Sequence, residues 1–419
     1  MSLELIGTIG LVLIFGLSMW RGINMGIIAL VGAFLVGTVF LDMDSSTISA
    51  NFPGSLLVTL VGVTLFFGVA RTNGTVENIV SWAVKVTGGK SWALPWVFFI
   101  LAAIITGSGA LSAATNAILI PLGLAFARKN KINPLLMGLS ILNGTNAGGF
   151  SPVAVYFSIV DGVLQGQGIE VDNLPIFVGT FIFNAVLNLI AFVILGGPKL
   201  FRQDRSKEQP DSETAESLDQ PWTSRNTITT LLFALVLILG LFFKLEVGYL
   251  TLAAAIILGI IWPEDARLGM KSIGWDVVLL IGGIVTYIGV LQEAGVVESL
   301  ATSISGIGTP LLAAFLILYV AGIVSAFAST NAMFGALVPL AAPILLAGDL
   351  PLIGFVIALC ISASAVDSSP FSTGGALIIA NTDEDKRAGL FRGMLYWAAA
   401  MVIFVPAVCW GIFLALNIG

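Results

Sequence analysis

The chain has 419 residues, of which 57% are hydrophobic and only 10% are charged, and its formal charge is −6. Apolar runs of 17 or more residues recur throughout, which excludes an ordinary water-soluble domain and predicts an integral membrane protein. There is no histidine and there are only two cysteines, Cys360 and Cys409, which excludes histidine proton relays, Ser-His and Cys-His catalysis, cysteine metal sites and a disulfide framework.

The first apolar runs predict membrane-spanning helices at 3–19, 23–41 and 54–70, followed by an interfacial helix at 76–87. The first run has Glu4 instead of a basic n-region, so we expect it to remain a span rather than a signal peptide. The run 93–127 has Thr115-Asn116 near its middle, and each leg has roughly 11 to 18 residues, too few to cross a hydrocarbon core of ~30 Å. This predicts a re-entrant hairpin.

The segment 134–160 is apolar at both ends but is interrupted by Asn143-Gly-Thr-Asn-Ala-Gly-Gly-Phe-Ser151-Pro152. A continuous lipid-facing helix would not contain this stretch, so it predicts a span broken near the middle of the membrane. Ser151 is expected to be the N-cap of the second part and Pro152 its first residue. A span at 175–196 closes the first half, residues 1–198, and the polar segment 199–225 predicts a cytoplasmic linker.

The second half, 226–419, repeats this order. It predicts spans at 226–243, 247–262 and 274–291, an interfacial helix at 296–306, a hairpin at 309–347 with Asn331 at its tip, a broken span at 352–380 that restarts at Ser369-Pro370, and a final span at 391–416. The charged run 382–387 is expected to be a solvated cytoplasmic turn.

Spacing between equivalent residues indicates an internal duplication, which is common in membrane transporters. Gly54, Gly62, Gly68, Gly74 and Glu77 recur as Gly274, Gly282, Gly289, Gly295 and Glu298, at offsets of 220 or 221. The Thr-Asn pair recurs at an offset of 215 and the Ser-Pro pair at 218. Five crossings per half is an odd number, so the second half must be inverted. The predicted fold is an all-α integral membrane protein with two inverted repeats of five transmembrane helices, each with a re-entrant hairpin and a broken helix.

The basic residues provide an independent criterion for the topology. On the predicted topology 17 of the 18 basic residues lie on one side of the membrane, and only Lys244 lies on the other. The positive-inside rule makes the basic side cytoplasmic. The sequence therefore predicts a cytoplasmic (inner) membrane protein with both termini on the outer side, the first hairpin entering from inside and the second from outside.

The four interruptions are predicted to meet near the midplane and form one site. Half-helices that start at Ser151 and Ser369 would point backbone N–H groups at an anion. The adjacent turns, 143–149 and 362–368, offer carbonyl, Asn, Ser and Thr oxygens that suit a hard cation such as sodium. The central parts of these segments contain no Lys, Arg or His, so the pattern favours an anion that binds together with small cations.

Asp367 is the single acidic residue that the predicted topology places deep in the membrane. An intramembrane carboxylate is costly and is a functional candidate by default, either as a cation ligand or as a proton carrier. The structural alternative is that it caps the restarting helix or pairs locally. The two Thr-Asn pairs likewise have the alternative of helix-packing contacts.

The chain resembles the ion transporter superfamily, which includes the divalent anion/sodium symporters. The resemblance rests on the motifs Ala114-Thr-Asn-Ala117 and Ser329-Thr-Asn-Ala332 and on the stretch that starts at Asn143. The chain is most similar to MatC-type malonate or dicarboxylate carriers. The resemblance implies a homodimer that works by an elevator mechanism. It implies substrate contacts at Thr115, Asn116, Thr330 and Asn331, beside Ser151 and Ser369, and sodium ligands at Ser112, Asn116, Asn143, Asn146, Ser329, Asn331, Ser364 and Asp367.

The expected function is therefore sodium-coupled symport of a small dicarboxylate such as malonate, with sodium as the coupling ion, no other cofactor and no nucleic-acid partner. The alternative is a proton-coupled carboxylate carrier or a sodium/proton antiporter that uses Asp367. An enzyme is not expected, because the membrane region offers one acidic residue and no nucleophile-base pair. A passive channel is not expected either, because mirror-related gates favour alternating access.

Overall fold

The computed structural model describes residues 3–76, 78–79, 82, 90–205, 222–243, 245–294, 310–326, 330–346 and 350–415. Within these ranges all regular secondary structure is helical. The interfacial helix predicted at 296–306, most of the one predicted at 76–87, residues 327–329 of the second hairpin and residues 206–221 of the predicted linker lie outside the described residues. Asn331, the predicted tip of that hairpin, lies in the first turn of a helix, Thr330–Leu346.

Ten helices make up the described part of the first half. They are α1 (Leu3–Arg21), α2 (Met25–Phe40), α3 (Ser45–Ala50), α4 (Gly54–Thr72), α5 (Leu94–Gly107), α6 (Ser112–Lys129), α7 (Pro134–Gly148), α8 (Val155–Gln165), α9 (Asn173–Ile194) and α10 (Gly197–Arg205).

The described part of the second half has nine α-helices. They are α11 (Ser224–Phe243), α12 (Val247–Ile261), α13 (Pro263–Gly269), α14 (Trp275–Glu293), α15 (Pro310–Ser325), α16 (Thr330–Leu346), α17 (Leu352–Ser364), α18 (Thr373–Ala380) and α19 (Glu384–Cys409). Short 3₁₀ turns at Met270–Ser272 and Ala365–Ser368 follow α13 and α17, and a π-helix, Trp410–Ala415, extends α19.

The long helices begin and end close to the predicted bounds, except that α19 begins seven residues before the predicted 391. Helices α3, α10 and α13 are additional. The charged run 382–387 is also not a turn. Asp383 precedes the helix, and Glu384 and Asp385 occupy the first turn of α19. Acidic side chains are stabilised at this position because the N-terminal end of a helix is partially positive.

Four helical segments of the described chain are long and apolar enough to cross a membrane. They are Asn173–Ile194, Trp275–Glu293, the interrupted segment Leu352–Ala380, and Glu384–Ala415. Shorter apolar helices of 10–17 residues accompany them. This content is that of a multi-pass membrane protein.

Several helices of one half pack on helices of the other half, and they do so in matching pairs. Helix α2 packs on α14, and α12 packs on α4. Glycines make these contacts possible: a Cβ on Gly283 would overlap the backbone of Gly26, and a Cβ on Gly62 would overlap the carbonyl oxygen of Gly248. The offset from Gly26 to Gly248 is 222 and that from Gly62 to Gly283 is 221, close to the 220 or 221 of the sequence repeat. The two crossings therefore occur at similar places in the two halves.

The helices that carry the predicted site follow the same rule. Helix α5 packs on α7 and α15 packs on α17, within each half. The second leg of each hairpin then packs across: α6 contacts α18, and α16 contacts α8. Each hairpin is therefore held against the interrupted helix of the opposite half.

Candidate substrate and cation site

The first hairpin turns at Ser108–Leu111, between α5 and α6. Gly109 adopts φ 105° there, a left-handed conformation that glycine tolerates without steric cost. Thr115 and Asn116 were predicted to form the tip, but they lie in the first turns of α6 and are buried. The glycine next to Ser108 makes the turn, which leaves the Thr-Asn pair helical.

The first interruption differs from the prediction in position. Helix α7 continues through Asn143 and Asn146 to Gly148, and α8 begins only at Val155. The expected Ser-Pro helix start is wrong here, because Ala154 is the N-cap residue. The Ser151 hydroxyl instead donates to the carbonyl oxygen of Gly107 and so ties the interruption to the hairpin turn.

The second interruption consists of the 3₁₀ turn Ala365–Ser368 and a short loop. Helix α18 is capped by Ser372, whose hydroxyl oxygen accepts from the Gly375 N–H at 3.0 Å. The Ser369 hydroxyl oxygen accepts from the Phe371 N–H at 3.2 Å. The predicted start at Ser369-Pro370 is therefore three residues too early, because Ser372 satisfies the first free N–H groups of the helix.

Within the first half, hydrogen bonds hold the Thr-Asn pair. The Thr145 hydroxyl lies 2.9 Å from Asn116 Oδ1 and donates to it, while the Thr106 hydroxyl donates to the Thr115 hydroxyl at 3.1 Å. All four side chains are buried. The Thr145 hydroxyl also lies 2.9 Å from the Ile141 carbonyl oxygen, so its one hydrogen is shared between that acceptor and the Asn116 amide.

A direct bond between the two interrupted helices crosses the site. Asn146 Nδ2 on α7 donates to the carbonyl oxygen of Ser364 on α17 at 2.9 Å. The other amide atom of Asn146, Oδ1, is buried without a hydrogen-bond partner in the part of the chain that the structure describes, and so is Ser364 Oγ. Two oxygens from opposite halves therefore remain available at this junction.

Tyr156 joins the remaining elements of the site. It is 3% exposed, and its hydroxyl lies close to the side chains of Ser112 and Thr330, in the electrostatic field of Asp367. Its ring packs on Phe150 at 5.5 Å and on Phe334 at 5.3 Å between centroids. One side chain of α8 thus lies next to both hairpins, near Ser112 of the first and against Phe334 of the second.

Buried polar atoms without a partner concentrate in this region. Within the described residues they include Asn143 Nδ2, Asn146 Oδ1, Ser325 Oγ, Thr330 Oγ1, Asn331 Oδ1, Ser362 Oγ and Ser364 Oγ. A buried polar atom left unpaired costs about 1–3 kcal/mol, so a cluster of them indicates a site that binds something else. The amide and hydroxyl oxygens fit a hard cation, and the Asn143 N–H group fits an anion.

The structure thus brings together most of the predicted site residues. Asn146 donates to Ser364, Asp367 lies close to Thr330, and Tyr156 lies close to both Ser112 and Thr330. Thr115 and Asn116 bond to Thr106 and Thr145 of the same half, and Asn143 and Asn331 lie on α7 and α16. Ser151 and Ser369 are occupied in hydrogen bonds of the interruptions. Ser329 lies outside the described residues.

Sequence reasoning missed Tyr156, Thr145 and two asparagines of α9. Asn184 and Asn188 are buried, and Asn184 Oδ1 and both amide atoms of Asn188 lack partners within the described chain. Helix α9 packs on both α7 and α17. The sequence could have indicated these residues, because two asparagines four residues apart in an otherwise apolar span lie on one helix face, and polar side chains in such a span face the protein interior.

Comparison with known proteins places this geometry in context. Residues 1–149 match the model of the family described as the dicarboxylate carrier protein MatC N-terminus. No curated protein matches the chain in sequence.

Two solved structures share the fold. The Alcanivorax borkumensis YdaH transporter is 13% identical with a TM-score of 0.63, over 94% of this chain and 97% of that one. Neisseria gonorrhoeae MtrF, described as illuminating a class of antimetabolite efflux pumps, is 13% identical with a TM-score of 0.64, over 92% of this chain and 85% of that one. These matches are transporters and not enzymes. The MatC-type resemblance is confirmed over residues 1–149, and the chain shares the fold of these multi-pass membrane transporters.

Proposed function

We propose that the protein is a sodium-coupled symporter of a small dicarboxylate such as malonate, and that it acts in the cytoplasmic membrane as a homodimer by an elevator mechanism. The observation that carries this proposal is the junction of Asn146 and Ser364. There the two interrupted helices meet, and each contributes a buried oxygen without a partner among the described residues. Such oxygens suit a coupling cation.

The dicarboxylate follows from two features. The family that matches residues 1–149 is described as a dicarboxylate carrier. In addition, Asn116 and Asn331 occupy equivalent positions near the N-terminal ends of α6 and α16, where partial positive charge favours a carboxylate. In this mechanism sodium binds first and offsets the substrate charge, each Thr-Asn pair then holds one carboxylate, and the loaded site moves across the membrane.

The exchange of partners between halves supports two inverted repeats with re-entrant hairpins. A two-fold relation converts the contact of α2 with α14 into that of α12 with α4, and the contact of α6 with α18 into that of α16 with α8. Repeats of this kind permit alternating access, because each half can adopt the conformation of the other.

Uptake of labelled malonate into proteoliposomes tests the proposal. An inward sodium gradient should drive accumulation, and a potassium gradient should not. Other short dicarboxylates should compete. Absence of uptake under every gradient would reject the substrate, and accumulation with potassium alone would reject sodium coupling.

Substitution of the two asparagines tests the site. Asn116→Ala and Asn331→Ala should each abolish uptake while the purified protein keeps its elution volume and helical circular dichroism. Near-normal transport by either variant would remove these residues from the site.

A second candidate is proton coupling through Asp367. This carboxylate is 9% exposed, lies close to the Thr330 side chain and has no ion-pair partner in the described part of the chain. Asp367→Asn distinguishes the two functions. A proton carrier should lose its response to a pH gradient, whereas a sodium ligand should chiefly require a higher sodium concentration.

A further inference from the structure

A basic pocket lies at one end of the helical bundle, away from the candidate site. It has a volume of about 540 Å³ and lies between the α6–α7 turn, the α9–α10 turn and the start of α19. Four cationic side chains line it: Arg128, Lys131, Lys199 and Lys386. These belong to three separate parts of the chain, so the fold concentrates positive charge that is dispersed in the sequence.

Two of these charges are not neutralised. Arg128 and Lys386 share Asp383, at 3.5 and 3.1 Å. Lys131 and Lys199 are exposed and have no acidic partner within the described ranges. The pocket therefore retains a net positive charge that attracts anions.

An apolar groove continues from this pocket along the bundle surface. It has a volume of about 920 Å³ and lies between α9 and α19, and Leu195 lines both it and the basic pocket. Its walls include Ile182, Val186, Trp397 and Phe404. Trp397 is largely buried, and its indole N–H has no acceptor among the described residues.

We propose that the pocket and the groove together bind one anionic phospholipid. The phosphate lies between Lys131 and Lys199, and an acyl chain follows the groove between α9 and α19. Basic pockets between membrane helices on the cytoplasmic side bind anionic headgroups through the same interactions. The positive-inside prediction places these lysines on that side.

The charge distribution favours a lipid over the other possible occupants. A soluble anion would fill the pocket but leave the groove empty. A second copy could cover the groove, but a two-fold axis along the membrane normal would bring two positive pockets side by side, and like charges repel. A phospholipid matches the negative and the apolar parts at once.

Native mass spectrometry of the full-length protein in detergent tests the headgroup contact. Phosphatidylglycerol should bind more tightly than phosphatidylcholine with identical acyl chains. Lys131→Gln with Lys199→Gln should weaken phosphatidylglycerol binding about 25-fold, roughly fivefold per lysine, and leave phosphatidylcholine binding unchanged. The control pair Lys129→Gln with Lys271→Gln removes the same charge from exposed positions that do not line the pocket and should have little effect.

A second pair of variants tests the groove. Val186→Trp fills it and should weaken binding of both lipids about tenfold. Val178→Trp adds the same side chain on the same helix, where the residue is similarly exposed at 44% against 47% but does not line the groove. It should bind both lipids normally.

Three results would overturn the proposal. Equal affinity of the unaltered protein for the two lipids would reject headgroup recognition. Displacement of phosphatidylglycerol by an equal concentration of glycerol phosphate would assign the pocket to a free anion. Loss of the dimer in Val186→Trp with lipid binding intact would assign the groove to a second copy.

Discussion

At the scale of single residues, Tyr156 lies at the candidate site between residues of the two halves. Its hydroxyl lies close to Ser112 of the first hairpin and Thr330 of the second, in the electrostatic field of Asp367. A hydroxyl in this position can donate to a substrate carboxylate, and a hydrogen bond to a charged group contributes about 1.5–3 kcal/mol.

Tyr156→Phe should therefore raise the KM for the dicarboxylate about tenfold or more, measured as uptake under a sodium gradient. Tyr287→Phe is the matched control, because Tyr287 is also buried and its hydroxyl donates to the Gly7 carbonyl oxygen at 3.1 Å. That variant should keep a normal KM. Equal KM values for the two variants would exclude Tyr156 from substrate binding.

Thr145 permits a second comparison at this scale. Its hydroxyl lies 2.9 Å from both Asn116 Oδ1 and the Ile141 carbonyl oxygen. Thr145→Val removes the hydroxyl that can donate to Asn116 without changing side-chain volume greatly, and should lower apparent affinity for substrate or sodium about fivefold.

Thr180→Val is the control for this substitution. Thr180 is equally buried and donates to the Ile176 carbonyl oxygen at 2.8 Å, but its hydroxyl bonds to no predicted site residue in the described part of the chain. Dose–response curves for malonate and sodium should match the unaltered protein. If Thr145→Val gave the same curves, its contact with Asn116 would be structural only.

The sequence predicts part of this residue-scale detail and not the rest. Asn116 and Asn331 were predicted as site residues because they recur at matched positions, and a duplication retains the residues of a shared site in both halves. Neither Tyr156 nor Thr145 recurs in an equivalent position, so their contacts depend on the exchange of partners in three dimensions. The Ser-Pro caps were predicted from local preference alone, and Ser372 supplies the cap of α18 instead.

At the scale of helices, close packing of α5 on α7 fixes the first interrupted helix. Gly144 and Gly148 lie four residues apart on α7, and a Cβ on either would overlap the carbonyl oxygen of Phe99 or Ala103 on α5. Small residues with this spacing let membrane helices approach closely. The contact also covers the backbone of α7, which explains why the helix continues past Asn143.

Gly144→Ala should separate α5 from α7 and destabilise the protein by about 1–3 kcal/mol, seen as a lower melting temperature in detergent. Gly389→Ala is the control, since nothing lies within 4 Å of the added methyl group. Alanine in an open helical position stabilises by about 0.5–1 kcal/mol. Equal melting temperatures for the two variants would contradict a tight α5–α7 contact.

Long helices are the elements that the sequence predicts well, because apolar runs set their length. Helices α3, α10 and α13 have only 6, 9 and 7 residues and carry polar or charged side chains, so hydropathy does not reveal them. Helix α7 extends to Gly148 because α5 and α9 pack against it and cover its polar stretch. This tertiary packing cannot be predicted from the local amino-acid composition.

At the scale of the whole molecule, most helix contacts lie within two groups. Helices α2, α4, α12 and α14 pack on one another through glycine crossings, whereas the hairpins and interrupted helices pack on each other and on α9 or α19. The two groups meet where α14 contacts α8 and α16 and where α4 contacts α8. In the proposed elevator the second group moves against the first. The start of α6, at Leu111 and Ala114, faces a small cavity. Thr64 of α4 and Ser272 of the 3₁₀ turn after α13 line the same cavity.

A cross-link between the groups should stop transport. In a background without Cys360 and Cys409, the pair Ala114→Cys and Ser272→Cys places two thiols on the walls of one cavity. Mercury(II) should bridge them and abolish sodium-driven uptake, and a reducing dithiol should restore it. The cause is mechanical: α6 could no longer slide past the 3₁₀ turn after α13.

The control is a cross-link inside the moving group. Asn133→Cys with Leu195→Cys joins α7 to α9, where Asn133 Nδ2 lies 3.5 Å from the Leu195 carbonyl oxygen. Elevator motion carries these helices together, so this bridge should leave uptake intact. If both bridges inhibit equally, the helices of the second group move relative to one another and the transport step is not a rigid displacement. If neither inhibits after complete bridging, substrate crosses without relative motion of the two groups, as a channel would require.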